Sequence, residues 1–112
     1  MVAYDRELAD RVRALVDSEP GLSEQRMFGG LAFLLEGRMA VAVSGQGGLL
    51  LRVDPAEQDL LAREPHTTAF VMAGRPARGW LRVLPDGLVE NDDLRAWVAR
   101  GVNAAQALDE GD

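Results

Sequence analysis

The longest apolar run in the chain is Arg26-Met27-Phe28-Gly29-Gly30-Leu31-Ala32-Phe33-Leu34-Leu35-Glu36-Gly37-Arg38-Met39-Ala40-Val41-Ala42-Val43. Only glycines and charged residues interrupt it, and they fall at the spacing of turns. This pattern is typical of consecutive β-strands that form the floor of a small domain. We therefore predict strands at 23–28, 31–35 and 39–44, with a tight turn at 36–38.

A fourth strand, predicted at 49–53, follows the glycine-rich turn at 45–48. Turns this short join only antiparallel neighbours, so the four strands should form a meander. Alternation in the third strand predicts bulky side chains on the core face and small ones on the opposite face. The bulky set is Met39, Val41 and Val43, and the small set is Ala40 and Ala42.

Helices are predicted on both sides of this sheet. Asp5 can cap a first helix, whose apolar stripe is Leu8, Val12, Leu15 and Val16. A closing helix should start near Asn91 and carry an apolar stripe to Leu108. Gly101 within it predicts either a close approach to the sheet or a late kink.

The segment between the meander and the closing helix is predicted to contain a short helix and a further pair of strands. The aspartate and proline of Asp54-Pro55-Ala56-Glu57 are typical of a helix start. The predicted elements are a helix at 54–63, a strand at 68–73, a loop at 74–79, a last strand at 80–84 and a turn at 85–87.

These elements predict an α+β fold, a two-layer sandwich in which N-terminal and C-terminal helices and one short middle helix pack on an antiparallel sheet of about five to six strands. The predicted order is α-β(3-4)-α-β(2)-α. We expect one domain over residues 1–108 and an acidic, disordered tail at 109–112.

Composition excludes several classes of protein. The chain has 112 residues, a net charge of −6 and no cysteine, which excludes disulfides and thiolate chemistry. Its acidic balance argues against direct nucleic-acid binding. Neither a signal peptide nor an apolar run near the ~20 residues of a membrane span is visible, so we expect a cytoplasmic protein with no membrane contact.

No catalytic or metal-binding constellation stands out in the sequence. His66 is the only histidine, and zinc normally recruits several nitrogen or sulfur ligands. Helix starts explain the acidic pairs Asp92-Asp93 and Glu57/Asp59. The glycine-rich turn at 45–48 lacks the lysine of a phosphate-binding loop. We therefore predict no catalytic residue, no metal and no cofactor, and expect a protein that is not an enzyme.

Four motifs in order resemble the N-terminal domain of the TfoX/Sxy competence regulators, over nearly the whole chain. The motifs are Tyr4-Asp5-Arg6-Glu7-Leu8, Arg26-Met27-Phe28-Gly29-Gly30, Gly74-Arg75-Pro76-Ala77-Arg78-Gly79-Trp80 and Ala96-Trp97-Val98. The family's second loop usually has a lysine where this chain has Arg78, which keeps the charge.

The resemblance implies a two-layer α+β domain that regulates competence genes in cooperation with a transcription factor. Full-length regulators of this family carry a second, C-terminal domain, whereas the sequence ends after the first. We therefore expect a stand-alone version of the module.

The candidate site is the pair of glycine-flanked loops that carry arginines. Its members are Arg26, Phe28, Gly29, Gly30, Gly74, Arg75, Arg78, Gly79 and Trp80. If the loops meet at one sheet edge, the guanidinium groups would form a pocket for a carboxylate or phosphate. The alternative is that the glycines only form turns and the arginines pair with Glu24, Glu36 or Glu90. Trp80, Trp97, Met27, Met39 and Met72 are predicted to be core residues.

Three functions remain open at this point. The first is an interaction module that engages a protein partner through an exposed sheet edge. The second is a small-anion or nucleotide-binding domain that uses Arg26, Arg75 and Arg78. Direct DNA binding is the third and has the least support from charge. Edge strands could also pair to form a homodimer.

Overall fold

The computed structural model describes residues 4–27 and 29–110. The helices are α1 (Arg6–Val16), α2 (Gln58–Leu61) and α3 (Asn91–Glu110), with a 3₁₀ turn at Pro85–Leu88. The strands are β1 (Leu22–Met27), β2 (Gly30–Leu35), β3 (Arg38–Val43), β4 (Leu49–Arg52), β5 (Thr67–Met72) and β6 (Arg75–Val83). This α+β order confirms the predicted fold class.

All six strands form one antiparallel sheet in the order β1-β2-β3-β4-β6-β5. The first four strands follow one another as the predicted meander. The last hairpin then joins the sheet through β6, which pairs with β4, so that β5 lies at the outside. The two edges of the sheet are therefore β1 and β5.

The two faces of the sheet are covered differently. Helices α1 and α3 pack on one face, where they bury the main core with Val12, Val16, Leu94 and Val98. A Cβ atom at Gly101 would lie 2.6 Å from the carbonyl oxygen of Ala40. Gly101 thus permits α3 to approach the sheet closely. This is one of the two roles predicted for it.

The opposite face, which we call the helix-free face, carries a smaller apolar cluster. Its buried members are Ala32, Leu34, Ala42 and Leu50, and the partly buried residues Met27, Met39 and Phe70 pack against them. No helix of the described residues appears in this cluster. Among residues 4–27 and 29–110, strand residues alone form this cluster.

The prediction for the faces of β3 was wrong at two positions. Phe33 pairs with Val41 but Leu34 pairs with Met39, so the register shifts and Ala40 has no partner in β2. Such a bulge moves the side chains beyond it to the other face. Met39 consequently packs on the helix-free face and Ala40 in the helix-side core.

The predicted start of α1 is confirmed, whereas that of α2 was wrong. Asp5 Oδ1 accepts a hydrogen bond of 3.1 Å from the Leu8 amide. Asp54 instead accepts from the amide of Ala56, two residues on, which is a turn rather than a helix cap. The helix itself begins only at Gln58.

The predicted loop at 74–79 was also wrong, because most of it belongs to β6. The reversal between β5 and β6 needs only Ala73 and Gly74, whose φ angles are +52° and +80°. Positive φ at two successive residues is the geometry of a tight hairpin turn. The glycine signal was correct, but it marked a shorter turn than expected.

Helix α3 extends to Glu110, two residues into the predicted tail, and the last two residues lie outside the described part of the chain. Within residues 4–27 and 29–110, no helix is long and apolar enough to cross a bilayer.

Candidate functional site

The structure does not bring the three predicted site arginines into one cavity. Arg26 lines a cavity with Tyr4, Gly29 and Gly30, and its guanidinium carbon lies 5.7 Å from the centre of the Tyr4 ring. Arg78 lines a different cavity, beside Gly79 and the C-terminal part of α3. Arg75 is exposed at the start of β6. Phe28 lies outside the described residues.

The two glycine-bearing turns nevertheless border a common cavity on the helix-free face. Met27 and Gly30 from the first hairpin line it together with Met72 and Ala73 from the last hairpin. The volume of this space is about 270 Å³. Residues of both edge strands, β1 and β5, line this one cavity, so the six-stranded sheet cannot be flat.

The arginine in this cavity is Arg82, to which the sequence pattern did not point. Its Nη1 donates hydrogen bonds of 2.9 Å to the Ser44 hydroxyl and of 2.9 Å to the Gly47 carbonyl oxygen. The guanidinium carbon lies 5.8 Å from the centre of the Phe70 ring. Strand alternation could have identified Arg82. It lies two residues after Trp80 in the predicted last strand, so both side chains should lie on the same face of the sheet.

Trp80 and Arg52 form a second cationic contact on the helix-free face. The guanidinium carbon of Arg52 lies 4.4 Å from the Trp80 ring, and its Nε donates to the Met39 carbonyl oxygen at 2.9 Å. Burial, with a contribution from Arg38, lowers the pKa of Arg52. The prediction of a core role was wrong for Trp80, whereas Trp97 packs against the helix-side core as predicted.

The predicted glycines of the site have structural roles that the backbone explains. A Cβ at Gly30 would collide with the carbonyl group of Val43 in β3. Gly29, Gly74 and Gly79 have φ angles of +74°, +80° and +86°, which L side chains rarely adopt.

Gly79 lies in a bend of β6 that α2 holds in place. Val71 pairs with Pro76 and Ala69 pairs with Leu81, so residues 77–80 of β6 face a single residue of β5. Gln58 spans this bend with three hydrogen bonds. Its Nε2 donates to the carbonyl oxygens of Ala77 and Trp80, both at 3.1 Å, and its Oε1 accepts from the Gly79 amide at 2.7 Å.

The edge strand β1 is polar and is tied to α1 by a salt bridge. Its residues 23–26 are Ser, Glu, Gln and Arg, and all four are exposed. Arg13 of α1 donates to both carboxylate oxygens of Glu24, at 2.6 and 2.9 Å. This bidentate hydrogen bond lowers the pKa of Glu24.

The edge strand β5 has the opposite character. None of its six residues is charged. Val71 and Met72 keep 56% and 46% of their surface exposed, so the predicted core role of Met72 was wrong. The segment 67–85 contains three arginines (Arg75, Arg78 and Arg82) and no acidic residue, in a chain whose net charge is −6.

The described residues contain no group of three side chains placed to hold a metal ion. His66 has a φ angle of +65°, and its carbonyl oxygen accepts a hydrogen bond of 2.7 Å from the Leu84 amide. His66 therefore has a structural role: its backbone joins the start of the last hairpin to the end of it.

Comparison with known proteins places the chain in a family. The family model of the TfoX N-terminal domain matches residues 14–105, which is most of the chain. No curated protein and no solved structure matches the chain. The matched segment runs from α1 to α3 and so includes all six strands. This chain belongs to the TfoX N-terminal domain family.

Proposed function

We propose that the chain is a non-enzymatic regulatory module that acts by binding a protein partner along the free edge of β5. The partner contributes an extended segment with apolar and acidic side chains. The observation that carries the proposal is an uncharged, exposed edge strand within a hairpin whose only charged residues are arginines.

The free edge of β5 supports this mode of binding. An edge strand presents unpaired N–H and C=O groups, which an extended peptide can use to add a further strand. Natural proteins usually protect such edges with charged side chains, as β1 does with Glu24 and Arg26. Strand β5 has no such protection, and Val71 and Met72 offer apolar contacts beside the open backbone.

Charge selects the chemistry of the partner. Arg75, Arg78 and Arg82 give the last hairpin a local positive charge, although the whole chain is acidic. Complementary charge favours a partner segment with acidic side chains and speeds the encounter. The same charge disfavours the pairing of two copies of β5, because each copy would bring its arginines against those of the other.

The absence of an enzymatic role is part of the proposal. Among the described residues, the groups with shifted pKa values are Arg13, Glu24 and Arg52. Ion pairing explains the first two and burial the third, whereas active sites typically shift the pKa of a nucleophile or an acid–base group. Family membership supports a regulatory role, and regulation of competence genes through a transcription factor in the cytoplasm is the specific form that we propose.

The test is site-specific photocrosslinking in native extract, followed by measurement of affinity. A photoreactive residue at Val71 should capture an extended acidic and apolar segment of one protein, whereas the same residue at Gln25 should not. A synthetic peptide of that segment should then bind Val71→Glu about tenfold more weakly or worse. Gln25→Glu, which adds the same charge to the other edge, should change the affinity less than about twofold.

Two results would contradict the proposal. Crosslinking of the segment at Gln25 rather than Val71 would move the interface to the wrong edge. Crosslinking of Val71 to a second copy of this chain, with a dimer in analytical ultracentrifugation, would replace the partner with a homodimer. Circular dichroism of each variant separates loss of binding from loss of folding.

A further inference from the structure

We propose that the cavity between the first and last hairpins binds a small carboxylate with an apolar body, and that Arg82 is the residue that holds the carboxylate. This site lies on the helix-free face, whereas the partner segment proposed above pairs with the backbone of the β5 edge. The inference therefore goes beyond the proposed function and does not depend on it.

The first observation is the state of the Arg82 guanidinium. Its two hydrogen bonds, to Ser44 and Gly47, both use Nη1. No carboxylate of the described residues forms an ion pair with it. Nε and Nη2 therefore keep their donors for a ligand, and a guanidinium edge of this kind matches a carboxylate with two parallel hydrogen bonds.

The second observation is that Arg82 is held in place before any ligand binds. Ser44 is itself buried, at 7% exposure, and its hydroxyl accepts from Arg82, while the Phe70 ring lies 5.8 Å from the guanidinium carbon. A charged group that is already oriented loses less conformational entropy when it binds a ligand. Surface arginines such as Arg95, which is paired only with a neighbour on its own helix, lack this support.

The third observation is the lining of the cavity. Ala42 and Leu50 form part of an apolar floor, and Met27, Phe70 and Met72 contribute larger apolar side chains. Ser44 and Gln46 add polar groups beside Arg82. The volume of about 270 Å³ is near the lower end of small-molecule sites. The cavity can thus accept an apolar body with the size of a medium-length alkyl chain.

One cation in a cavity with an apolar floor favours a carboxylate over a phosphate. Arg82 is the only charged residue that lines this cavity in the described part of the chain. Phosphate sites typically use several cations or a run of backbone amides, because the ligand carries more charge and more acceptor oxygens. A carboxylate has a single charge and two acceptor atoms, which one guanidinium edge can satisfy.

The experiment uses sodium octanoate as the probe and the full chain as the receptor. Binding is measured by calorimetry and by chemical-shift changes of Phe70 and Met72. We expect a dissociation constant on the order of 1 mM or tighter. The uncharged analogue octanamide and inorganic phosphate should each bind at least about tenfold more weakly. Octanamide lacks the negative charge that pairs with Arg82, and phosphate lacks the apolar chain that fills the cavity.

Three variants locate the site. Arg82→Gln should weaken octanoate binding about tenfold or more. Arg82→Lys should also weaken it, because lysine keeps the charge but cannot make the two parallel hydrogen bonds of a guanidinium group. Ala42→Val should also weaken binding by filling the floor without any change of charge. The control is Arg95→Gln, which makes the same change of charge on the other side of the sheet and should leave affinity within about twofold.

The inference is overturned if octanoate does not bind, or if octanamide or phosphate binds as tightly. It is also overturned if folded Arg82→Gln retains the affinity of the unmodified chain. If Arg82→Gln does not fold, Ala42→Val decides, and unchanged affinity in that variant would overturn the inference. None of these measurements includes the protein partner, so their failure is separate from failure of the β5 interface.

Discussion

The first and last hairpins of the sheet occupy equivalent positions at its two edges, yet they are built differently. The outer strand of the first hairpin, β1, is polar and is tied to α1 by the Arg13–Glu24 salt bridge. Gly30, the residue of β2 that follows its turn, packs against the backbone carbonyl of Val43 in β3. The outer strand of the last hairpin, β5, is uncharged, and a Cβ at its turn residue Gly74 would contact nothing within 4 Å.

This difference between the two edges is the basis of the proposed division of roles between the hairpins. The first hairpin satisfies its own side chains and protects its edge with charge, so it is complete without a partner. The last hairpin exposes Val71 and Met72 and concentrates three arginines. Such a surface gains most from being covered, which is why we assign binding to the last hairpin and stability to the first.

The largest expected effect compares Gly30, which follows the turn of the first hairpin, with Gly74 in the turn of the last. Gly30→Ala should reduce the free energy of unfolding by about 3 kcal/mol, because the new methyl group collides with the backbone of Val43. Gly74→Ala should cost only about 1 kcal/mol, because its turn is open and only the positive φ opposes alanine. Urea unfolding measures both. Equal costs would show that Gly30 is no more tightly packed than Gly74.

An intermediate effect tests the charge of the last hairpin. The double variant Arg75→Gln/Arg78→Gln should weaken binding of the acidic partner segment about fivefold at low salt, and its affinity should depend less on salt. The matched change in the first hairpin, Arg26→Gln, should leave the affinity unchanged. Titrations at two ionic strengths measure this. An equal loss in both hairpins would mean that overall charge, rather than the basic hairpin, drives binding.

The smallest effect concerns the salt bridge of the first hairpin. The bond to Arg13 lowers the pKa of Glu24 in the folded state, so the stabilisation is present above the unfolded-state pKa and is lost as the pH falls through the folded-state value. Both side chains are about one-third exposed or more, at 32% and 41%, so we expect only about 0.5 kcal/mol.

Glu24→Gln should remove this contribution at neutral pH and flatten the dependence of stability on pH in the acid range below the ordinary glutamate pKa. Urea unfolding at neutral and acid pH measures the difference. A variant whose stability falls with acid as steeply as that of the unmodified chain would assign the acid sensitivity to other carboxylates.

The order of elements was predictable because apolar periodicity and turn residues are local signals. The run from Arg26 to Val43 carried both signals, and its strands fell within one residue of the predicted bounds. The bulge at Ala40 was not predictable, because it depends on how β3 pairs with β2 rather than on the residues of β3 alone. One shifted residue was enough to move Met39 to the other face.

The candidate site was less predictable than the fold. The first and last hairpins border one cavity, but among the predicted site residues that the structure describes only Gly30 lines it. The cation that lines it is Arg82, which follows the bend at residues 77–80 of β6. A bend of this kind depends on hydrogen bonds from a different element, α2, which no local pattern in β6 contains.

The three hydrogen bonds of Gln58 help to fix the direction in which β6 continues after its bend. They tie the bend of β6 to α2 through one primary amide, whose nitrogen donates to two carbonyl groups and whose oxygen accepts from Gly79. A glutamate at this position would keep the acceptor and lose both donors. The bend of β6, on which β5 and one wall of the Arg82 cavity depend, therefore needs both ends of the Gln58 amide, which no carboxylate could replace.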